Sequence, residues 1–186
     1  MPHILGIDPG FAACGIAVYD VAAEDVPLLD VIRTEKSSKK RGVLASDDNL
    51  RRAREICEAL VEVVDRFDVV VICAESMSFP RNSSAAAKVA MAWGVLGTIS
   101  SIRGIPIVQA SPQEIKKTLC GRKDASKDEI EDAVRARYSG ARVRDGVPQS
   151  FHNHSWDALS AIAAGMDSEV VRLAIKMHGG STRRAV

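Results

Sequence analysis

Two short apolar runs, ILGID at residues 4–8 and VVVICAE at 69–75, constrain this chain more than any other feature, because each ends in a carboxylate. A run that is apolar without alternation and too short for a helix reads as a strand buried on both faces. Closing such a strand with an unpaired Asp8 or Glu75 costs on the order of several kcal/mol in desolvation. The two strands therefore have to end at a site where something offsets that charge.

The surrounding pattern says how they meet. ILGID, ACGIAVYDV and PLLDVIRTE read as an antiparallel meander, turning first at Pro9-Gly10. From Asp47 to Phe67 the apolar positions Leu50, Ala53, Cys57, Leu60, Val64 and Phe67 fall three and four apart, which predicts one buried helix face. After the strand ending at Glu75, SSAAAKVAMAWGVLGTISSIRG predicts a long helix stopped by Gly104, and IPIVQ a further strand. Ser111-Pro112-Gln113-Glu114 and Ser126-Lys127-Asp128-Glu129 both have capping-box spacing, so each opens a helix. The stretch SGARVRDGVPQSFHN reads as irregular, HSWDALSAIAAGM as a buried helix, and HGGSTRRAV as a mobile basic tail. This order predicts an α/β chain with a mixed five-stranded sheet, its first three strands antiparallel, flanked by helices on both faces.

In such a sheet the first and fourth strands lie side by side, which brings Asp8 beside Glu75. On the late helix His154 and Asp157 are three apart and share a face. Three carboxylates and an imidazole that converge repel one another unless a cation sits among them, and oxygen-rich sites suit Mg²⁺ or Mn²⁺.

Composition narrows the remaining classes. With 186 residues, 46% of them hydrophobic and 26% charged, the chain fits one globular domain with a short tail. We expect one α/β domain over 1–167 and a C-terminal helix and mobile basic tail over 168–186. Cys14, Cys57, Cys73 and Cys120 show neither a disulfide frame nor a Cys-x-x-Cys zinc spacing. No basic-then-apolar leader precedes the first strand and no uninterrupted apolar run approaches about 18 residues, so a cytoplasmic location is expected. The net charge is only +1, but residues 1–30 hold five acidic residues and no Lys or Arg, while basic residues gather later. Such clustering suits a polyanion as readily as solvated helix faces.

At this point the residues resemble a known family. ILGIDPG with Asp8, VVICAES with Glu75, IKKTLCG with Lys116, ASKDE with Lys127, and HSWDALSAIA with His154 and Asp157 resemble, in order and spacing, the RuvC-type Holliday junction resolvases. The likeness spans residues 3 to 166. It implies a ribonuclease H-like fold, a homodimer, and metal-dependent nicking of paired strands in four-way or branched DNA, leaving 5′-phosphate and 3′-hydroxyl ends. Two Mg²⁺, with Mn²⁺ able to substitute, would be held by Asp8, Glu75, His154 and Asp157, about 4 Å apart as in other two-metal sites. Lys116 and Lys127 match the family's basic residues beside the site, where an ammonium stabilises developing charge. The resemblance also makes Phe79, or Met77 in its place, the residue that stacks on unpaired bases, with Arg81, Lys117, Arg122 and Lys123 as further DNA contacts. Removing one phosphate-binding side chain would flatten the salt dependence of binding by about 0.9 in log–log slope. The small-sided helix from Ser83 would supply the dimer contact. A branch-migration helicase as a further partner is not readable from these residues.

Many family members carry Asp where this chain has His154. Imidazole is the softer ligand, which favours Mn²⁺, and its protonation predicts activity that falls below about pH 6.5. Two rivals share parts of the pattern. A YqgF-like RNA-processing nuclease has a similar opening strand, but this chain has CAES where that family has a Gly-Leu-Pro-like motif. A non-catalytic branched-DNA binder fits the basic clusters but not the acidic set. An actin-like ATPase needs two lobes, for which 186 residues leave no room.

Overall fold

The computed structural model describes residues 1–38, 42–77 and 82–181, with backbone alone for 179–181. Its sheet has five strands in the order β3-β2-β1-β4-β5, made of β1 (His3–Asp8), β2 (Ala13–Asp20), β3 (Asp25–Arg33), β4 (Val69–Glu75) and β5 (Ile107–Ala110). The β1–β2 and β2–β3 pairs are antiparallel, and β1–β4 and β4–β5 are parallel. The expected mixed sheet and the expected β1–β4 adjacency are both present. From β1 the chain turns back toward one edge and from β4 it crosses toward the other. The carboxyl ends of these two strands thus mark the point where connections diverge, the usual place for a site in an open α/β sheet.

Helices cover both faces. On one side α1 (Ala45–Arg66) and α2 (Ser83–Arg103) pack with Leu5, Ile7, Ile16, Val18 and Ile72. On the other lie α3 (Pro112–Cys120), α4 (Lys127–Arg137), α5 (His152–Gly165) and α6 (Glu169–Ser181), around a cluster that includes Ile4, Val71, Cys73, Leu159 and Ile162. Alternation along each strand explains the division: Leu5 and Ile7 face α1 and α2, while Ile4, Gly6 and Asp8 face α5.

Both capping boxes form. The Ser111 and Ser126 hydroxyls accept from the Glu114 and Glu129 amides, and the two glutamates accept in return from the serine amides. Gly104 ends α2 in the left-handed region, φ 66°.

The apolar stripe expected on α1 is buried at Leu60, Val64 and Phe67, with Ala53 and Cys57 packed against the core, but it shifts at the helix start. The helix's buried row is Asp48, Arg52, Ile56, Leu60 and Val64, and Leu50 is 61% exposed. Two polar residues displace the stripe there because both are paired. Asp48 accepts from the Ser37 amide and hydroxyl and from Arg51. Arg52 donates from Nε to the Thr34 hydroxyl, 2.8 Å, and from Nη2 to the Phe11 carbonyl, and stacks over the Phe11 ring.

One expectation about the C-terminus also changes. His178–Ser181, read from sequence as tail, continue α6, which seats Val171 and Ala174 in the second core; 182–186 lie outside the described residues. By length and composition α2 is apolar enough to cross a bilayer, with mean hydropathy 1.3 over 18 residues, although its sequence holds Lys88. Only Ala92, Leu96 and Ile99 of α2 are buried.

Candidate metal centre

Asp8 ends β1 on the face that α5 covers, and α5 lies unusually close there. A Cβ at Gly6 would fall 2.2 Å from the Ala158 carbonyl oxygen, and one at Gly15 would fall 1.9 Å from that of His154. Gly15 is also the register partner of Asp8 across β1–β2. The missing side chains of two neighbouring strands let the first turns of α5 rest on the sheet backbone, and this sets His154 beside Asp8.

His154 Nδ1 donates to Asp8 Oδ2 at 2.7 Å. One helical turn along, Asp157 Oδ2 accepts from Lys127 Nζ at 2.9 Å, and Lys127 is the first residue of α4, fixed by its capping box. Asp8, His154 and Asp157 each present a ligand atom, and these atoms all lie within 4.8 Å of one another. Glu75 stands outside that triad, one step beyond the Ile7–Ala74 pair of β1–β4, on the α5-facing parity of β4. Its charge is nonetheless felt there. Burial first, then Asp8 and Asp157, hold the Glu75 carboxyl above its usual range. Burial likewise raises Asp157, with Lys127 opposing. His154 is raised chiefly by its hydrogen bond to Asp8, against burial. For Lys127 burial acts downward, but the bond to Asp157 and the charges of Asp157, Asp8 and Glu75 outweigh it, and the ammonium is held above its ordinary value.

The donor set fits a hard divalent cation. Carboxylate oxygens and one imidazole converge, and no cysteine is among the grouped ligands; the thiol of Cys14, which feels the Asp8 charge, is driven far up by burial and then by Asp8. The raised carboxyls show that these charges are poorly compensated by the protein alone.

The other predicted residues that are described are not joined to this group by hydrogen bonds or ion pairs, Lys127 excepted. Among the described residues Lys116 makes no hydrogen bond or ion pair with the four acidic and imidazole side chains. Lys117 and Lys123 are exposed, and Arg122 is paired with Asp124 at 3.0 Å and with Glu129. Met77 is half-buried just past β4, whereas Phe79 and Arg81 lie outside the described residues. Sequence reasoning missed Gly15 and Gly6, although a glycine inside a strand pattern is a known sign of close backbone approach. It also missed Phe151, whose ring stacks on His154, because the residue fell in a stretch without periodicity.

Residues 4–139 match the family model for the crossover junction endodeoxyribonuclease RuvC. The RuvC of Natranaerobius thermophilus is 27% identical over 177 residues, spanning 94% of this chain and 99% of that protein. The RuvC of a Synechococcus strain is 34% identical over 134 residues, 71% of this chain and 80% of the relative. Among solved structures, Thermus thermophilus RuvC in complex with Holliday junction substrate is similar with a TM-score of 0.68 at 22% identity, over 96% of this chain and 97% of the other. That likeness shows the fold, which is ribonuclease H-like. On the match across most of its length, the chain belongs to the RuvC family of crossover junction endodeoxyribonucleases.

Proposed function

We propose that this protein is a metal-dependent endodeoxyribonuclease that resolves four-way DNA junctions by paired nicks. The observation that carries the reading is the triad of Asp8, His154 and Asp157 within 4.8 Å, bordered by Glu75, at the carboxyl ends of the two central strands. Asp8, Glu75, His154 and Asp157 would hold Mg²⁺, with Mn²⁺ as a substitute and two ions per site. A divalent cation bound there supplies Lewis-acid activation of water and neutralises charge on the phosphoryl oxygens. The chain's own groups do the rest. Lys127 carries its ammonium into the carboxylate cluster, where it can meet a phosphate oxygen and stabilise negative charge in the transition state. Asp8 fixes the imidazole of His154 through Nδ1, leaving the other ring nitrogen free. Lys116 is proposed to act on phosphate alongside, with Phe79 or Met77 stacking on junction bases and Arg81, Lys117, Arg122 and Lys123 as DNA contacts.

The working form is proposed to be a homodimer joined through α2, whose outward face carries Ala87, Ala90, Gly94, Gly97 and Ser101 at alternating spacings of three and four. Residues 1–167 form the proposed nuclease unit, followed by 168–186, and the proposed location is cytoplasmic.

The test is cleavage of four-way DNA, duplex DNA and structured RNA in Mg²⁺, Mn²⁺ or EDTA by the wild type and Asp8→Asn. We expect paired nicks in four-way DNA with either metal, none in EDTA, and a loss of at least about 10²-fold in the variant. Preferential RNA cleavage would favour the RNA-processing alternative. Tight junction binding without cleavage in any ion would leave a binding protein.

A further inference from the structure

The imidazole of His154 is held at one ring atom by Asp8, and a single contact fixes the position of Nδ1 but not the tilt of the ring about it. Torsion about the last bond of a histidine side chain is broad, so the plane needs a second restraint. Phe151 supplies one. It closes the short 3-10 turn Gln149–Phe151 that leads into α5, and its ring is stacked on that of His154, centroids 6.4 Å apart and planes 29° from parallel. Arg33, the last residue of β3, lays its guanidinium over the Phe151 ring, with Cζ 4.7 Å from the centroid. Arg33 is also paired with Glu35 at 3.5 Å.

Nothing in the packing of the core requires an aromatic at this position. Phe151 is half-buried and belongs to neither of the two core clusters, whereas Phe11 and Phe67 are both core residues. Its ring meets one candidate ligand and one arginine. The contact joins segments far apart in the chain: Asp8 from β1, Arg33 from β3, and Phe151 with His154 at the head of α5. Ring pairs at 4.5–7 Å contribute measurably to side-chain placement, and an arginine over the ring adds to it.

We propose that Phe151, steadied by Arg33, is a positioning residue for His154, holding the imidazole plane in register with Asp8 and Asp157 and so setting the affinity of the site for its cation. The inference rests on reading Asp8, His154 and Asp157 as metal ligands.

The experiment is calorimetric titration of the full chain with Mn²⁺, without DNA, for the wild type, Phe151→Ala, His154→Ala and the double variant. We expect Phe151→Ala to raise the Mn²⁺ dissociation constant about three- to tenfold. In the His154→Ala background the same change should add less than twofold, because a residue that acts through His154 has nothing left to position. Phe151→Tyr should restore wild-type affinity, and Arg33→Met should weaken binding about twofold. If Phe151→Ala fails to fold, Phe151→Leu removes the ring while keeping apolar bulk. A second readout is independent of metal: the ring-proton resonance of His154 should move when either variant removes the stacked ring. An unchanged dissociation constant in Phe151→Ala, an equal rise in both backgrounds, or an unmoved His154 resonance would overturn the positioning role. Failure of the underlying site looks different: the wild type would not bind Mn²⁺, or Asp8→Asn and His154→Ala would bind it as tightly.

Discussion

His154 must lose a proton before it can bind a cation, and the structure makes that proton harder to lose. The hydrogen bond to Asp8 holds the imidazole above its ordinary value of 6.5, with burial acting the other way. The acid limb of activity should therefore begin above about pH 6.5, higher than the free imidazole value used for the sequence expectation. We expect single-turnover cleavage at limiting Mg²⁺ to decline as pH falls from the mildly alkaline side, and His154→Asp to shift that limb toward acid. A rate that stays flat from pH 8 down to 5.5 would remove His154 from the ligands. For stability the same group acts in the opposite sense. Its contribution to the metal-free fold is complete below 6.5 and disappears as pH rises through the raised folded value. Glu75 is a liability to the empty fold. Burial, Asp8 and Asp157 raise its pKa, so the folded chain holds a proton that the unfolded chain would release. Stability from this group is lost as pH climbs from 4.5 through the raised value, and at neutral pH the charged form is destabilising. Glu75→Gln should thus abolish cleavage yet raise the melting temperature in EDTA, by about 2–4 °C for each kcal/mol relieved. A lower melting temperature would show that Glu75 is already well compensated.

At the scale of elements, the strands and caps were legible because local chemistry writes them. ILGID and VVVICAE became β1 and β4 with their carboxylates at the ends, and Ser111/Glu114 and Ser126/Glu129 closed the expected boxes. The start of the α1 face was not legible. A pattern that counts apolar residues gives no credit to Asp48 and Arg52, which are buried because Ser37, Thr34 and Phe11 satisfy them. The site divides the same way. Asp8, Glu75, His154 and Asp157 stood out as charges in apolar company or at helical spacing, while Phe151 and Gly15 matter only through contacts that folding creates. Gly15 can be tested directly. A methyl group there meets the His154 carbonyl oxygen and carbon at 1.9 and 2.3 Å, both backbone atoms that cannot rotate away. Gly15→Ala should therefore lift the start of α5 off the sheet, at a cost of about 1–3 kcal/mol from overpacking. Because the displaced residue is His154, Mn²⁺ affinity should fall with the melting temperature. A variant that melts lower but binds Mn²⁺ normally would show that α5 shifts without carrying the ligand.

At the scale of the whole molecule, α2 is long and apolar yet mostly uncovered. Alone on its sheet α2 buries only three residues, and a Cβ added at Gly94 or Gly97 would meet nothing within 4 Å. The exposed positions Ala87, Ala90, Gly94, Gly97 and Ser101 repeat at an average of three and a half residues, the period at which two helices keep one seam in contact. Small side chains on that seam let the helix backbones come close, and in the proposed homodimer the partner is an identical helix related by a two-fold axis. On this reading sedimentation at micromolar concentration gives a dimer, and replacing both Gly94 and Gly97 with Leu gives a folded monomer, since neither change touches the core of one subunit. The monomer retains a complete cluster of Asp8, Glu75, His154 and Asp157, so it should still nick. What it should lose is the coupling of two cuts within one binding event. On a supercoiled plasmid carrying a cruciform, the wild type would yield linear product and the double variant would accumulate nicked circles. A wild type that sediments as a monomer, or a double variant that still linearises the plasmid as efficiently, would mean that α2 does not bring the two sites together.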